Sequence, residues 1–302
     1  MQFDQTTPPA HQFSPHPEPH IAGYPMRYID SHMHFWDQAV LTPYTWLHEV
    51  PAINARHDPA VLQAEAGSDL PDKIVFVEAG APPLPEVRWV EALATREPRI
   101  QAIVAKIAID AGAQTTAALA ELRQHRLVRG VRHHFEHDAT DFCARPAFIR
   151  GVREATAAGF SFDICGKHPQ LPAIIELVRQ CPETSFILDH GGKPGIRAGL
   201  LDPWRDHIRE LATFPNVVCK LSGLVTEADH AAWTEPQLAP YAAHLLATFG
   251  PARLLFGGDW PVAKLACGYL RWLEIAHRFT AHLPAAEQAA IFCGNAERIY
   301  RL

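Results

Sequence analysis

Ile29-Asp30-Ser31-His32-Met33-His34-Phe35-Trp36-Asp37 is a short apolar run that ends in His-x-His. Strand side chains alternate faces, so residues two apart point the same way. His32 and His34 are therefore expected to project together from a strand end. A second run, Arg253-Leu254-Leu255-Phe256, ends in Gly257-Gly258-Asp259-Trp260-Pro261. Two imidazoles and a carboxylate at strand ends suit hydrolysis: they bind a cation or polarise a carbonyl, and they supply a base for water. Alone, His-x-His fits two unrelated polar residues on a turn equally well. The chain between the two runs decides.

Strand-like runs cover residues 27–31, 73–77, 100–107, 127–131, 160–165, 185–189, 217–221 and 253–256. They are rich in Val, Ile, Leu and Phe and barely alternate, as strands buried on both faces of a parallel sheet do. Segments with helical spacing lie between and after them, at 85–96, 115–125, 146–158, 171–179, 204–213, 240–249, 269–282 and 285–292. Eight β-then-α units predict an α/β fold, a (β/α)8 barrel of the TIM type. An open doubly wound sheet is the rival, but no Gly-x-Gly-x-x-Gly turn follows the first strand, which removes its usual dinucleotide-binding form. The stretch 35–69 is long for a βα loop and holds Trp36, Tyr44, Trp46 and His48, so it is read as a lid or binding loop.

The 302 residues suffice for one large barrel, expected over 25–302. A net charge of −6 argues against a nucleic-acid partner, which needs a basic face. No apolar run approaches the roughly 20 residues of a membrane span. The six cysteines form no Cys-x-x-Cys pair, and several lie in apolar runs. They read as buried free thiols of a reducing compartment, so a cytoplasmic location is expected. Residues 1–24 are rich in proline and histidine, lack a signal-peptide core, and are expected to be a disordered tail.

In a barrel, polar groups at the carboxyl ends of strands converge on one mouth. Here those ends offer His32 and His34, Glu78, then Arg132, His133 and His134, then Asp163, Lys167 and His168. Asp189, His190, Lys220, Ser222 and Asp259 follow. A packed structural end has no need of so many ionisable groups.

The chain resembles the amidohydrolase superfamily, and within it the sugar-lactonase group. The likeness rests on Asp30-Ser31-His32-Met33-His34-Phe35-Trp36-Asp37, Gly130-Val131-Arg132-His133 and Phe186-Ile187-Leu188-Asp189-His190-Gly191-Gly192-Lys193-Pro194. It continues through Cys219-Lys220-Leu221-Ser222-Gly223-Leu224, Phe256-Gly257-Gly258-Asp259-Trp260-Pro261-Val262 and Gly294-Asn295-Ala296. These span residues 27–302 in order. The resemblance implies a hydrolase that opens a small-molecule lactone of a sugar acid. It also implies that His32, His34, His190 and Asp259 are catalytic and are the metal ligands, with Asp259 as base. The fourth strand region offers no lysine to bridge two ions. The set is therefore read as holding one divalent ion at most, with zinc suiting its donors, and not necessarily required. No organic cofactor is called for.

Around this centre, Trp36, Glu78, Arg132, His133, Lys167, His168 and Trp260 are candidates for substrate binding. Each has a structural alternative: Arg132 suits a carboxylate on the substrate or an ion pair with Glu136 or Asp138, and Glu78 suits hydroxyls or a basic partner. If the strand continues, His133 and His134 point to opposite faces, and at most one faces the site. Lys220 in an apolar strand needs a buried partner and reads as an internal salt bridge. With Arg132 the sole arginine placed squarely at a strand end, a neutral aldonolactone of the L-fucono or L-rhamnono type is favoured. The alternatives are a lactonase for a pyrone or muconolactone, a metal-dependent decarboxylase or hydrolase of aromatic or dicarboxylic acids, and a non-catalytic binding barrel.

Overall fold

Eight parallel strands surround a common axis in the computed structural model, which describes residues 27–302. They are β1 (Ile29–Met33), β2 (Lys73–Val77), β3 (Ile100–Lys106), β4 (Val128–His134), β5 (Ser161–Cys165), β6 (Phe186–Leu188), β7 (Val217–Leu221) and β8 (Leu254–Phe256). Spatial order equals chain order, and every neighbouring pair is parallel. The helices are α1 (Pro59–Ala66), α2 (Pro83–Ala94), α3 (Ala113–Leu122), α4 (Pro146–Ala157), α5 (Leu171–Gln180), α6 (Trp204–Leu211), α7 (Glu235–Phe249) and α8 (Tyr269–Thr280). Two short helices end the chain, α9 (Ala285–Ala289) and α10 (Asn295–Tyr300). The expected barrel is thus found; the tail expected over residues 1–24 lies outside the described residues.

The core has two layers, and strand alternation sorts residues between them. Ile74, Phe76, Phe162, Phe186, Leu188, Leu254 and Phe256 pack outward against the helices. Ile29, Val75, Val77, Ala102, Val104, Ile187, Val218 and Leu255 fill the barrel with Ala296 and Tyr300, so α10 plugs the interior. Burial on both faces explains why the runs read as unbroken apolar stretches.

Three differences from the sequence reading have physical causes. First, β4 runs on to His134 because Arg132, His133 and His134 pair with Asp163, Ile164 and Cys165 of β5. Second, α7 starts at Glu235, not at residue 240. Thr234 and Gln237 form a capping box there, and Pro240 is tolerated because it sits on the solvent face. Third, residues 35–69 are no open lid. They contain α1, capped by Asp58, whose Oδ1 accepts from Ala60 and Val61 at 3.1 and 3.0 Å. Trp36, Tyr44, Leu47 and Ile53 bury a small core of their own with Ala79 and Ala81.

All six cysteines are free and five are buried. No helix among the described residues is long and apolar enough to cross a membrane.

Candidate active site

The barrel closes between its first and last strands at the residues singled out by motif. The Asp259 amide donates to the His32 carbonyl at 2.8 Å, and the His34 amide donates to the Trp260 carbonyl at 2.8 Å. At the end of β1, where the pairing register shifts between Asp30 and Met33, the His32 and His34 rings meet edge to face, with centroids 4.9 Å apart. Asp30 holds this closure from behind. Its Oδ1 accepts from the amides of His32 and Gly258, both at 2.9 Å, and its Oδ2 accepts from the Tyr269 hydroxyl.

Three imidazoles converge on one carboxylate oxygen. The Nε2 atoms of His34, His32 and His190 lie 3.4, 3.8 and 4.0 Å from Asp259 Oδ1. All four residues are buried. Burial alone would raise the Asp259 carboxyl, but His190 and His34 outweigh it and hold it below the usual carboxylate range. Burial pushes His190 down to about 4 and His32 well below its ordinary value.

This geometry fits a bound cation. The His34 Nδ1 lies 2.8 Å from the Val77 carbonyl, which only accepts, so Nδ1 carries a proton. In the neutral ring the Nε2 lone pair then faces a carboxylate oxygen, an arrangement that a cation between them relieves. His32 Nε2 is likewise buried without a hydrogen-bond partner. His32, His34 and Asp259 present ligand atoms within 4.8 Å of one another. Histidine nitrogens with one carboxylate suit zinc.

Beneath the histidines a buried ionic network fills the barrel. Lys220 Nζ lies 2.7 Å from Asp163 Oδ2, 2.9 Å from Asp189 Oδ1 and 3.1 Å from His32 Nδ1. The Tyr300 hydroxyl donates to Asp163 at 2.8 Å, tying the network to α10. Arg132 bridges Glu78 at 2.8 Å and Asp189 at 3.2 Å. Lys220 is therefore the internal salt bridge its sequence position implied.

His190 stands in a turn of the opposite hand to ordinary helix. His190, Gly191, Gly192 and Lys193 have φ of 53°, 60°, 70° and 45°. The two glycines adopt this region freely, whereas each flanking non-glycine residue costs roughly 1–2 kcal/mol. Asp259, at φ 54°, is strained in the same way. Such outliers persist where the surroundings over-determine them, commonly at functional sites. Ser222 supports His190 from β7, with Oγ 3.1 Å from Nδ1.

The structure brings His32, His34, His190 and Asp259 together. The other expected contacts distribute differently. Arg132 and Glu78 are engaged with each other: the guanidinium Nε donates to Glu78 Oε1, Nη2 to the Glu78 carbonyl and Nη1 to Asp189. Arg132 thus has a buried partner, but neither of the acids named as its alternative, and it is not free for a substrate. His133 turns outward, where Nδ1 accepts from the Ile109 amide and the ring packs on Phe142 and Phe148. His134, on the Arg132 face, is the one that reaches the mouth. Trp36 and Trp260 have no exposed surface. Their indole N–H groups donate to the Ala55 carbonyl and to Glu65, so they buttress the β1–α1 loop and do not form a wall for a ring. His168 faces the turn at Gly195, far enough round to be depressed by His207 as well as by burial. Lys167 stays at the mouth, where its charge acts on Glu136 and Glu227. Sequence reasoning overlooked the rim group Glu136, Lys193 and Glu227; the run Gly191-Gly192-Lys193-Pro194 directly after His190 was the available signal.

With the geometry in place, comparison with known proteins gives a consistent result. The amidohydrolase family profile matches residues 29–302. A curated relative from Burkholderia multivorans, named L-fucono-1,5-lactonase, is 35% identical over 290 residues, covering 91% of this chain and 96% of its own. A second of the same name, from Burkholderia ambifaria, is 30% identical over 285 residues, 91% of this chain and 95% of its own. Among solved structures, an amidohydrolase from Burkholderia multivorans with bound zinc superposes with a TM-score of 0.83 at 33% identity, covering 92% of this chain and all of that one.

Proposed function

Because the chain belongs to the amidohydrolase family, we propose that it hydrolyses the ring ester of a neutral sugar-acid lactone, an aldonolactone of the L-fucono or L-rhamnono type. The observation that carries this reading is the convergence of three histidine Nε2 atoms on the ionised Asp259, in a mouth whose buried arginine is already engaged. A dicarboxylate substrate needs free guanidinium groups, because an unpaired buried anion is costly. The names of the two Burkholderia relatives support the same substrate class.

A lactone carbonyl is already electrophilic, so the protein's task is to place water, accept its proton and stabilise the oxyanion. Asp259, held ionised beside His190 and His34, takes the proton as water attacks the ring carbonyl carbon. The C–O ring bond then breaks, and the protonated Asp259 returns the proton to the leaving alkoxide, giving the hydroxy acid. His32, His34 and His190 surround the position where the oxyanion develops. A divalent ion held by these histidines and Asp259 would supply Lewis-acid polarisation of the carbonyl. Lys220, Asp189 and Ser222 hold His32 and His190 in register from behind.

The test is acid release from a panel of lactones, with spontaneous opening subtracted. L-fucono-1,5-lactone and related neutral rings should be opened with the highest kcat/KM. A preference of about tenfold or more for a ring carrying free carboxylates, such as 2-pyrone-4,6-dicarboxylate, is worth roughly 1.4 kcal/mol and overturns the neutral-ring assignment.

A further inference from the structure

Three charged side chains at the mouth take no part in the chemistry above. Glu136 follows β4, Lys193 follows β6 and Glu227 follows β7, so all three lie at the carboxyl ends of strands, where the histidines lie. Lys193 Nζ is 2.5 Å from Glu136 Oε2 and 3.2 Å from Glu227 Oε1. Their side chains are 12%, 15% and 18% exposed for Glu136, Lys193 and Glu227, so the group is mostly buried yet still opens to solvent. It is therefore neither a surface ion pair nor a sealed structural one.

Its position is coupled to that of His190. The Lys193 amide donates to the His190 carbonyl at 3.0 Å, closing the left-handed turn. In such a tight turn, residues three apart lie on the same side. Lys193 sits close enough to Asp259 and His190 for its charge to act on both. The Cys165 thiol lies within 4.8 Å of the ligand atoms of His134 and Glu136.

The hydrogen-bonding inventory points to hydroxyl groups. Each carboxylate has about four acceptor sites, and Lys193 occupies one on each. Glu136 Oε1, the oxygen not bonded to Lys193, lies 3.7 and 3.2 Å from the Nε2 atoms of His134 and His137. Lys193 has three donors and two carboxylate partners. Two acceptors fixed by one shared donor match adjacent ring hydroxyls, each of which donates to a carboxylate while one accepts from the ammonium.

We propose that Glu136, Lys193 and Glu227 bind the ring hydroxyls of the substrate and so select polyhydroxylated lactones over bare ones. This rests on the lactonase reading and adds to it the element that sets specificity.

The test uses the full-length enzyme and the isosteric variants Glu136→Gln and Glu227→Gln, with melting temperatures recorded. Each is assayed on L-fucono-1,5-lactone and on δ-valerolactone, the same ring without hydroxyls. The ratio of the two kcat/KM values should fall about tenfold or more in at least one variant, mainly through KM for the hydroxylated ring. A ratio held within about twofold in both variants, with or without a common loss of rate, overturns the proposal. Calorimetric titration with 1,5-anhydro-L-fucitol, which keeps the hydroxyls and has no ester, separates the two readings. If the wild type opens neither lactone, the lactonase reading falls. Binding of the polyol that weakens about tenfold in a variant still supports hydroxyl recognition, and absence of binding to the wild type overturns it as well.

Discussion

At the scale of single residues, the site is defined by what each side chain already touches. Asp259 has three imidazoles around one oxygen and is proposed as both base and metal ligand, so it is the residue whose loss should be most specific. Asp259→Asn keeps the shape and removes the proton acceptor. Its kcat on the best lactone should fall about 10²–10⁴-fold with little change in melting temperature, and a variant that keeps most of its kcat ends the assignment. Glu136 permits a prediction about acid. Burial alone would raise its carboxyl, but Lys193 outweighs burial and brings it down from 4.5 to about 2. The folded protein thus binds this proton less readily than the unfolded chain. The pair contributes fully above about pH 4.5, and its contribution is lost as pH falls toward about 2, with an upper bound on the order of 3 kcal/mol. In urea unfolding, the stability advantage of wild type over Glu136→Gln should be largest near neutral pH and shrink between about pH 5 and pH 3. An advantage that is flat or widens over that range contradicts the ion-pair account.

At the scale of elements, the turns after β6 and β7 do more than the strands to shape the centre. Gly223, at φ +60°, lies against His190, and a Cβ there would be 2.4 Å from His190 Nδ1. Gly223→Ala should therefore displace the imidazole. A misplacement near 1 Å can cost about 10²-fold, so kcat should drop by up to that amount, with the content of any divalent ion held there reduced in parallel. Near wild-type kcat would mean that His190 has room to yield. The elements also show where pattern reading succeeds. β2 and β7 have the bounds their apolar runs implied, because strands buried on both faces carry a local signal. The apolar pattern ends β4 at residue 131, because Arg132, His133 and His134 look like a loop until pairing with β5 accounts for them. Helix α1, inside residues 35–69, carries little periodic signal: its sequence is weakly amphipathic, and only the Asp58 cap and Pro59 mark its start.

At the scale of the whole molecule, barrel closure and the proposed metal site share residues. The bonds that join β1 to the chain after β8 run through His32, His34, Asp259 and Trp260 themselves. Closure therefore brings His32, His34 and Asp259 to one place, His190 joins them from the turn after β6, and the fourth strand offers no lysine to bridge a second ion. Elemental analysis of the purified protein should find at most about one divalent ion per chain, the occupancy of one tetrahedral ligand set. Two equivalents, with activity following the second, contradict a single centre.

The sequence by itself determined the eight-fold alternation of strand and helix, the placement of His32, His34, His190 and Asp259 at strand ends, and the need of Lys220 for a buried partner. Each depends on local periodicity, local apolar content or a short motif, all of which can be read along one segment. The tertiary structure alone decided the partners. Arg132 meets Glu78 and Asp189 instead of Glu136 or Asp138, His134 faces the mouth in place of His133, and Trp36 and Trp260 are sealed under the β1–α1 loop. It also assembled Glu136, Lys193 and Glu227 from the ends of three strands. The physical reason is that a charge or hydrogen bond selects its partner by distance in space, among residues here tens of positions apart, and no period in the chain encodes that distance.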